Sequence, residues 1–158
     1  MRKAFNTFIL KRLNKDNNAN NNKKLLDQAI ENNDLEKFKE ILTSIFSSIP
    51  YNNYVNNNIY KYEDYYSTVI YLYLQALGYN IIGEDVRSTG RIDLTILQNN
   101  AIYIFEFKVD KGPDALEQLK AKNYHLKYMN DPRPIYLVGM HFDKRKKNIG
   151  KFSWIKIK

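Results

Sequence analysis

The spacing of hydrophobic residues predicts two helices in the first half of the chain. From Asp34, a suitable N-cap residue, apolar side chains recur at helical spacing as far as Ile49, and Pro50 ends the run. A second helix is predicted from about Tyr62 to Leu77, because Gly78 behind it suits the position that follows a helix. Both segments have the amphipathic pattern of helices that pack on a core.

Strand-like segments dominate the second half. Strands are predicted at Tyr79 to Ile82, Arg91 to Gln98, Ala101 to Val109 and Ile135 to Met140, with an edge strand near Ser153 to Lys158. The pair Asn99-Asn100 predicts a two-residue type I′ hairpin turn between the second and third strands. A helix is predicted from about Asp114 to Tyr128. This order predicts an α/β fold with a mixed β-sheet flanked by helices.

Two asparagine-rich stretches, Asn14 to Asn22 and Asn52 to Asn58, have no apolar periodicity and predict loops. We therefore expect a polar, partly helical and partly flexible N-terminal extension over residues 1–33 and an α/β domain over residues 34–158. With 158 residues, of which 44% are hydrophobic, the chain has enough apolar material for one core.

Composition narrows the possible chemistry. The chain has no cysteine, which excludes disulfides and thiolate zinc sites, and its two histidines, His125 and His141, are too few for a histidine-rich metal site. No segment has the roughly 20 apolar residues of a membrane span. These features predict a cytoplasmic protein without a membrane partner.

The positive charge of the chain is concentrated near its C-terminus. Residues 1–110 contain 13 basic and 13 acidic residues, whereas residues 111–158 contain 12 basic and 4 acidic residues, so the last third carries the whole net charge of +8. Such asymmetry suits a polyanionic partner, of which nucleic acid is the commonest, and it also suits a solvated basic surface.

The predicted hairpin brings three charged residues together. If Gln98 faces Ala101, the same register places Asp93 opposite Glu106, and strand alternation places Lys108 on the face of Glu106. Opposed carboxylates repel each other unless a cation lies between them. A hard divalent ion such as Mg²⁺ or Mn²⁺ would relieve this repulsion, and Lys108 would orient the water that attacks phosphorus. The alternative is a structural ion-pair cluster at the sheet margin.

A family resemblance favours the chemical interpretation. Gly90-Arg91-Ile92-Asp93-Leu94 followed by Tyr103-Ile104-Phe105-Glu106-Phe107-Lys108 resembles the D…(E/D)xK core of the PD-(D/E)XK nuclease superfamily, although no proline precedes Asp93. The segment is similar to the nuclease-like domain that follows AAA-type ATPase domains in bacterial proteins, and the resemblance covers about Asp34 to Phe142. It implies a restriction-endonuclease-like core with the order αβββαβ.

The resemblance also implies roles for individual residues. Asp93 and Glu106 would be metal ligands, Lys108 the catalytic lysine, and the backbone carbonyl of Phe107 an additional ligand. Glu63 matches the acidic residue of the first core helix, where it would bind a second metal or a water, unless it only stabilises the first turn of that helix. Glu84 competes with Glu63 for this position.

Further residues are expected to assist. Gln118 matches a polar residue that orients the lysine, water or phosphate in the related nucleases, whereas Tyr124 is expected to pack in the core. The nucleic-acid contacts are predicted to come from the cluster Lys144, Arg145, Lys146 and Lys147 and from Lys120 and Lys122.

The leading hypothesis is a Mg²⁺- or Mn²⁺-dependent DNA endonuclease. The alternatives are an RNA-directed nuclease with the same chemistry and a catalytically weak module that binds nucleic acid or docks a partner. The chain lacks the Gly-x-x-x-x-Gly-Lys-Ser/Thr loop, so no ATPase activity of its own is expected. The opening Met1-Arg2-Lys3-Ala4-Phe5 resembles the interior of longer family members, which predicts a fragment, a truncated product or a remnant that works with an ATPase portion. A homodimer is a further expectation.

Overall fold

Helices cover both faces of a five-stranded sheet in the computed structural model of this chain. The structure describes residues 17–49, 63–87 and 90–158, and for residues 17–19, 63–64, 84–87 and 90–93 it describes the backbone alone. The predicted loop at Asn52 to Asn58 lies outside the described residues. No helix in these ranges is both long and apolar enough to span a membrane.

The helices are α1 (Asn17–Glu31), α2 (Leu35–Ser47), α3 (Glu63–Ala76) and α4 (Ala115–Lys122), and a short 3-10 helix follows at Tyr124–Tyr128. The Asp34 side chain accepts the backbone N–H of Lys37 at 2.9 Å, which confirms this residue as the N-cap of α2. Gly78 has a φ of +79° just beyond α3, in the left-handed region that glycine adopts without strain.

The strands are β1 (Asn80–Arg87), β2 (Gly90–Leu97), β3 (Ile102–Val109), β4 (Ile135–Asp143) and β5 (Asn148–Lys156), and they lie in the sheet in that order. Strands β3 and β4 are parallel, and the other neighbouring pairs are antiparallel. The mixed sheet and the order α3-β1-β2-β3-α4-β4 confirm the predicted α/β fold, which is consistent with a restriction-endonuclease-like core.

Strand alternation divides the core between the two faces of the sheet. On β3, Tyr103, Phe105 and Phe107 pack in the larger core cluster with residues of α1, α2 and α3. Ile102 and Ile104 belong to a smaller cluster with Leu116 and Leu119 of α4 and with Tyr124, which packs as expected. The even-numbered face of β3 is therefore the face that α4 covers.

Helix α1 corrects the loop prediction for Asn14 to Asn22, because the helix begins at Asn17. Its polar first half has no periodicity of its own, but its second half buries Leu26, Ala29 and Ile30 in the larger core cluster. Tertiary packing of these residues outweighs the low helix propensity of asparagine. The boundary between an extension and the main domain at Asp34 stays a prediction.

The β2–β3 turn has the predicted register but not the predicted backbone conformation. Leu97 pairs with Ile102, and the Gln98 N–H donates to the Ala101 carbonyl at 3.0 Å. Neither Asn99 nor Asn100 has a positive φ, so the type I′ prediction is wrong. Tertiary hydrogen bonds hold the turn instead, because the side chains of Gln98 and Asn100 donate to Glu31 at the end of α1.

Helix α4 is shorter than the segment predicted from Asp114 to Tyr128. It ends at Lys122, because Asn123 adopts a left-handed conformation with a φ of +54°, and the chain continues as the 3-10 helix. Asparagine tolerates this region better than other residues with a side chain. The last turn of α4 therefore carries Lys120 and Lys122 at a helix C-terminus, where positive charge is favourable.

Gly139 of β4 allows α4 to approach the sheet closely. A Cβ atom at this position would lie 2.5 Å from the backbone nitrogen of Leu116 and 3.0 Å from the carbonyl carbon of Ala115. Gly139 is also the partner of Glu106 in the parallel β3–β4 register. The glycine thus brings the first turn of α4 against the part of the sheet that carries Glu106.

Candidate active site

A buried carboxylate lies on the α4 face of the central strand. Glu106 follows Ile102 and Ile104 on the even-numbered face of β3, and only 2% of its side chain is exposed. Its two oxygens differ in their surroundings: Oε1 contacts two lysines, whereas Oε2 is buried and has no hydrogen-bond partner. An ionised carboxylate at such depth needs nearby positive charge.

Two lysines supply positive charge to Glu106 from different elements. The Nζ atom of Lys108 on β3 lies 3.1 Å from Oε1, and the Nζ atom of Lys122 on α4 lies 2.8 Å from the same oxygen. The lysine side chains are 22% and 21% exposed, so the ammonium groups lie between the buried carboxylate and solvent. A substrate anion can reach these charges from the solvent side.

Helix α4 contributes two neighbouring polar residues. Gln118 lies one turn before Lys122, at a spacing that places both on the same side of the helix. The Oε1 atom of Gln118 is buried without a hydrogen-bond partner. Sequence reasoning had placed Lys122 among general nucleic-acid contacts, although its spacing from Gln118 was a signal that it belongs with the Glu106 cluster.

The remaining predicted ligands are placed only by their backbone. Asp93 lies on β2 and Glu84 on β1, and Glu63 is the first residue of α3, but their side chains lie outside the described residues. The described register of β2 with β3 runs to the pair Leu94–Phe105, and one further step would oppose Asp93 and Glu106. The roles of Asp93, Glu63 and the Phe107 carbonyl stay predictions.

The basic residues of the last third surround an open cleft of about 900 Å³ at the carboxyl ends of β3 and β4. Its basic lining residues are Lys111, His141, Lys144, Arg145 and Lys151. Of the predicted cluster, Lys144 and Arg145 line the cleft and Lys146 and Lys147 follow them in the β4–β5 turn. Lys120 instead forms an exposed ion pair with Glu117 at 2.7 Å.

Acidic residues at this cleft are already paired with lysines. Lys144 donates hydrogen bonds from its side chain and its backbone N–H to Asp110, and these bonds lower the pKa of the Asp110 carboxyl. The hydrogen bond from Lys151 to Asp114, with that from the Glu117 N–H, likewise lowers the pKa of Asp114. His141 has a structural contact, since its Nε2 atom accepts the N–H of Ala115 at 3.0 Å.

The described side chains offer one part of a metal site. The buried, unpartnered Oε2 atom of Glu106 is an anionic oxygen of the kind that Mg²⁺ and Mn²⁺ prefer. The side chains described by the structure contain no group of three acidic or histidine residues that could hold an ion. Glu106 fits a divalent ion as one ligand, and the predicted second carboxylate, Asp93, lies outside this set.

Comparisons with known proteins agree with this arrangement. An uncharacterized protein in the vnfD 5′ region of Azotobacter chroococcum mcd 1 is 42% identical over 120 residues, which cover 74% of this chain and 23% of that protein. The chain thus spans about a quarter of the length of this relative. No solved structure matches the chain. The family model of the PD-(D/E)XK nuclease superfamily matches residues 61–152, which include β1 to β4, α4 and Glu106, and the chain therefore belongs to this superfamily.

Proposed function

We propose that this protein is a metal-dependent nuclease that hydrolyses phosphodiester bonds, and that its specific activity is that of a DNA endonuclease. The observation that carries the proposal is the buried Glu106 carboxylate, which has one open oxygen and lies beside Lys108 on a central strand. Membership of the PD-(D/E)XK superfamily supports this interpretation over a purely structural ion pair.

Asp93 and Glu106 would hold Mg²⁺ or Mn²⁺ together with the backbone carbonyl of Phe107, and Glu63 would hold a second ion or a water. A bound divalent ion supplies Lewis-acid polarisation of the phosphate and makes water more acidic. The open Oε2 atom of Glu106 supports its assignment as a ligand, because a buried carboxylate oxygen without a partner is otherwise costly.

Lys108 orients the attacking water and stabilises the negative charge that develops on the phosphate oxygens. Its partial exposure, 22% of the side chain, leaves it accessible from the solvent side while Glu106 holds its ammonium group in place. Gln118 assists through its amide, which can donate one hydrogen bond to a water or phosphate oxygen and accept another.

The substrate backbone would lie along the basic cleft beyond the ends of β3 and β4. This cleft begins at Val109, the residue after Lys108, so that the cations around it continue the positive surface of the proposed site. Lys144, Arg145, Lys146 and Lys147 would contact phosphates there, with Lys120 contributing from α4. Counterion release from these contacts supplies affinity without sequence preference.

A cleavage assay tests the proposal directly. Purified protein is incubated with plasmid, linear duplex, single-stranded DNA and RNA in the presence of Mg²⁺ or Mn²⁺, with EDTA as the metal-free control. The variants are Glu106→Gln, which removes the buried charge, and Glu117→Gln, which removes an exposed carboxylate whose side chain is 67% accessible on α4.

We expect nicking and linearisation of plasmid by the wild type and by Glu117→Gln, and loss of both in Glu106→Gln and in EDTA. Cleavage of RNA alone would replace the DNA assignment with the RNA-directed alternative. Binding of nucleic acid without cleavage under any metal condition would identify a docking or binding module and would contradict the proposed enzyme.

A further inference from the structure

Lys122 offers an inference about how the proposed site is loaded, and it rests on the proposed function. Its ammonium group lies 2.8 Å from Glu106 Oε1, closer than that of Lys108 at 3.1 Å. The two lysines therefore share one carboxylate oxygen, while the other oxygen is buried and unpartnered. Glu106 already has a compensating cation before any metal ion binds.

The position of Lys122 is set by the end of α4. The helix stops after this residue because Asn123 is left-handed, and the following Tyr124 is buried in the core with its ring centroid 5.8 Å from the Lys122 ammonium. Tyr124 thus provides an aromatic surface that stabilises the lysine by a cation–π contact. The lysine stem is held between a core aromatic ring and the Glu106 carboxylate.

This arrangement opposes metal binding in the free protein. A divalent ion on Glu106 would approach a positive charge that lies within hydrogen-bonding distance of the same carboxylate, and such like charges repel in a partly buried site. A substrate phosphate provides Lys122 with a different anionic partner, because the lysine is 21% exposed and its side chain is flexible.

We propose that Lys122 couples metal binding to nucleic-acid binding: it neutralises Glu106 in the free protein and transfers its ammonium group to a substrate phosphate when the polynucleotide binds. Each ligand then increases the affinity for the other by the same factor, as thermodynamic linkage requires. Metal loading would in this way be largely restricted to the substrate-bound protein.

Calorimetric titration with Mn²⁺ tests this coupling without cleavage. The wild type, Lys122→Gln, Lys122→Arg and the control Lys37→Gln are titrated alone and in the presence of a short phosphorothioate duplex. Lys37 lies on α2 on the opposite face of the sheet, where it pairs with Glu40, so its substitution removes the same charge from a distant site.

We expect Lys122→Gln alone to bind Mn²⁺ about tenfold more tightly than the wild type, with a correspondingly smaller gain when the duplex is added. Lys37→Gln should match the wild type, and Lys122→Arg should keep the coupling because it keeps the charge. If Lys122→Gln does not unfold cooperatively, Lys122→Met replaces it, since methionine retains an unbranched stem against Tyr124.

Unchanged or weaker Mn²⁺ binding by the neutral variant in the absence of the duplex would overturn the coupling role. This outcome is distinct from failure of the proposed nuclease, in which no substrate is cut whatever the Mn²⁺ titrations show. If neither the wild type nor the neutral variant bound Mn²⁺, both the coupling and the metal-dependent nuclease would be rejected.

Discussion

The surroundings of Glu106 differ from those of an ordinary surface ion pair. Exposed pairs such as Lys37–Glu40 contribute little to stability because water already solvates both partners. Glu106 is 2% exposed, so removal of a neighbouring lysine leaves a charge that water cannot fully solvate. Substitutions around Glu106 therefore need a measurement of folding beside any measurement of activity.

The first prediction separates the roles of Asp93 and Lys108. Asp93→Ala should lose both Mn²⁺ binding and cleavage, because it removes an anionic ligand. Lys108→Ala should keep much of the Mn²⁺ affinity, since a protonated lysine cannot bind a cation, while cleavage falls by about a hundredfold or more through lost transition-state stabilisation. Calorimetry and a plasmid assay on both variants make the comparison, and wild-type cleavage by Lys108→Ala would contradict the mechanism.

At the residue scale, the sequence predicted part of the site. Glu106 and Lys108 could be found from strand alternation and the ExK spacing, and the structure places them 3.1 Å apart. The contact of Lys122 with Glu106 could not be derived in the same way, because it depends on where α4 crosses the sheet. That crossing is set by tertiary packing at Gly139, which no local pattern specifies.

At the scale of elements, α4 and β4 are held together by a close backbone approach. The Gly139 Cα faces the first turn of α4, and the neighbouring His141 accepts the N–H of Ala115 at the start of the same helix. Both contacts fix the N-terminal end of α4, whereas Lys122 contacts Glu106 from the other end. A displacement of α4 would therefore move Lys122 relative to the carboxylate.

We predict that Gly139→Ala destabilises the protein by about 1–3 kcal/mol, because the added methyl group would overlap backbone atoms of Leu116 and Ala115. Gly112→Ala is the matched control, since a Cβ atom there meets nothing within 4 Å. Urea denaturation measures the free energy of unfolding of both variants. Equal stability of the two would show that α4 does not pack on Gly139 as described.

The success of the sequence predictions also differed among elements. Helix α2 and strand β3 were predicted well because one face of each is buried and the hydrophobic spacing follows that face. The first half of α1 is rich in asparagine and gave no such signal. The end of α4 was missed because a single left-handed residue, Asn123, stops the helix within a sequence that retains helical spacing.

At the scale of the whole molecule, the positive charge is collected at one end of the sheet. Arg145 and Lys146 are exposed in the β4–β5 turn, where Asp143 accepts their backbone N–H groups, while Lys144 is paired with Asp110. Among the residues of the predicted cluster, Arg145 and Lys146 are thus well placed to exchange counterions for phosphates without first breaking a described ion pair.

We predict that replacing Arg145 and Lys146 with glutamine reduces the slope of log affinity against log salt by about 2 for duplex DNA, because each lost phosphate contact contributes about 0.9. Fluorescence anisotropy over a range of salt concentrations measures this slope. A variant with glutamine at Lys37 and Lys39 has the same net charge but changes α2, so its slope should equal that of the wild type.

The chain contains a complete mixed sheet with helices on both faces, but no phosphate-binding loop for ATP. We therefore predict cooperative thermal unfolding in the absence of nucleotide and no ATP hydrolysis by the purified protein. Calorimetry and a phosphate-release assay measure these two properties. Gradual, non-cooperative unfolding would indicate that the core needs a further segment or partner.

The central position of β3 has a consequence for motion. This strand is paired with β2 on one edge and β4 on the other, its residues from Ile102 to Phe107 are buried, and the Tyr103 hydroxyl donates to the Ile30 carbonyl of α1. Amide protons of such a strand exchange with deuterium mainly through global unfolding, whereas those of the edge strand β5 also exchange through local fraying. Glu106 therefore lies in the slowest-exchanging part of the protein, and movements that admit a polynucleotide must occur in the elements around β3 while the strand itself stays fixed.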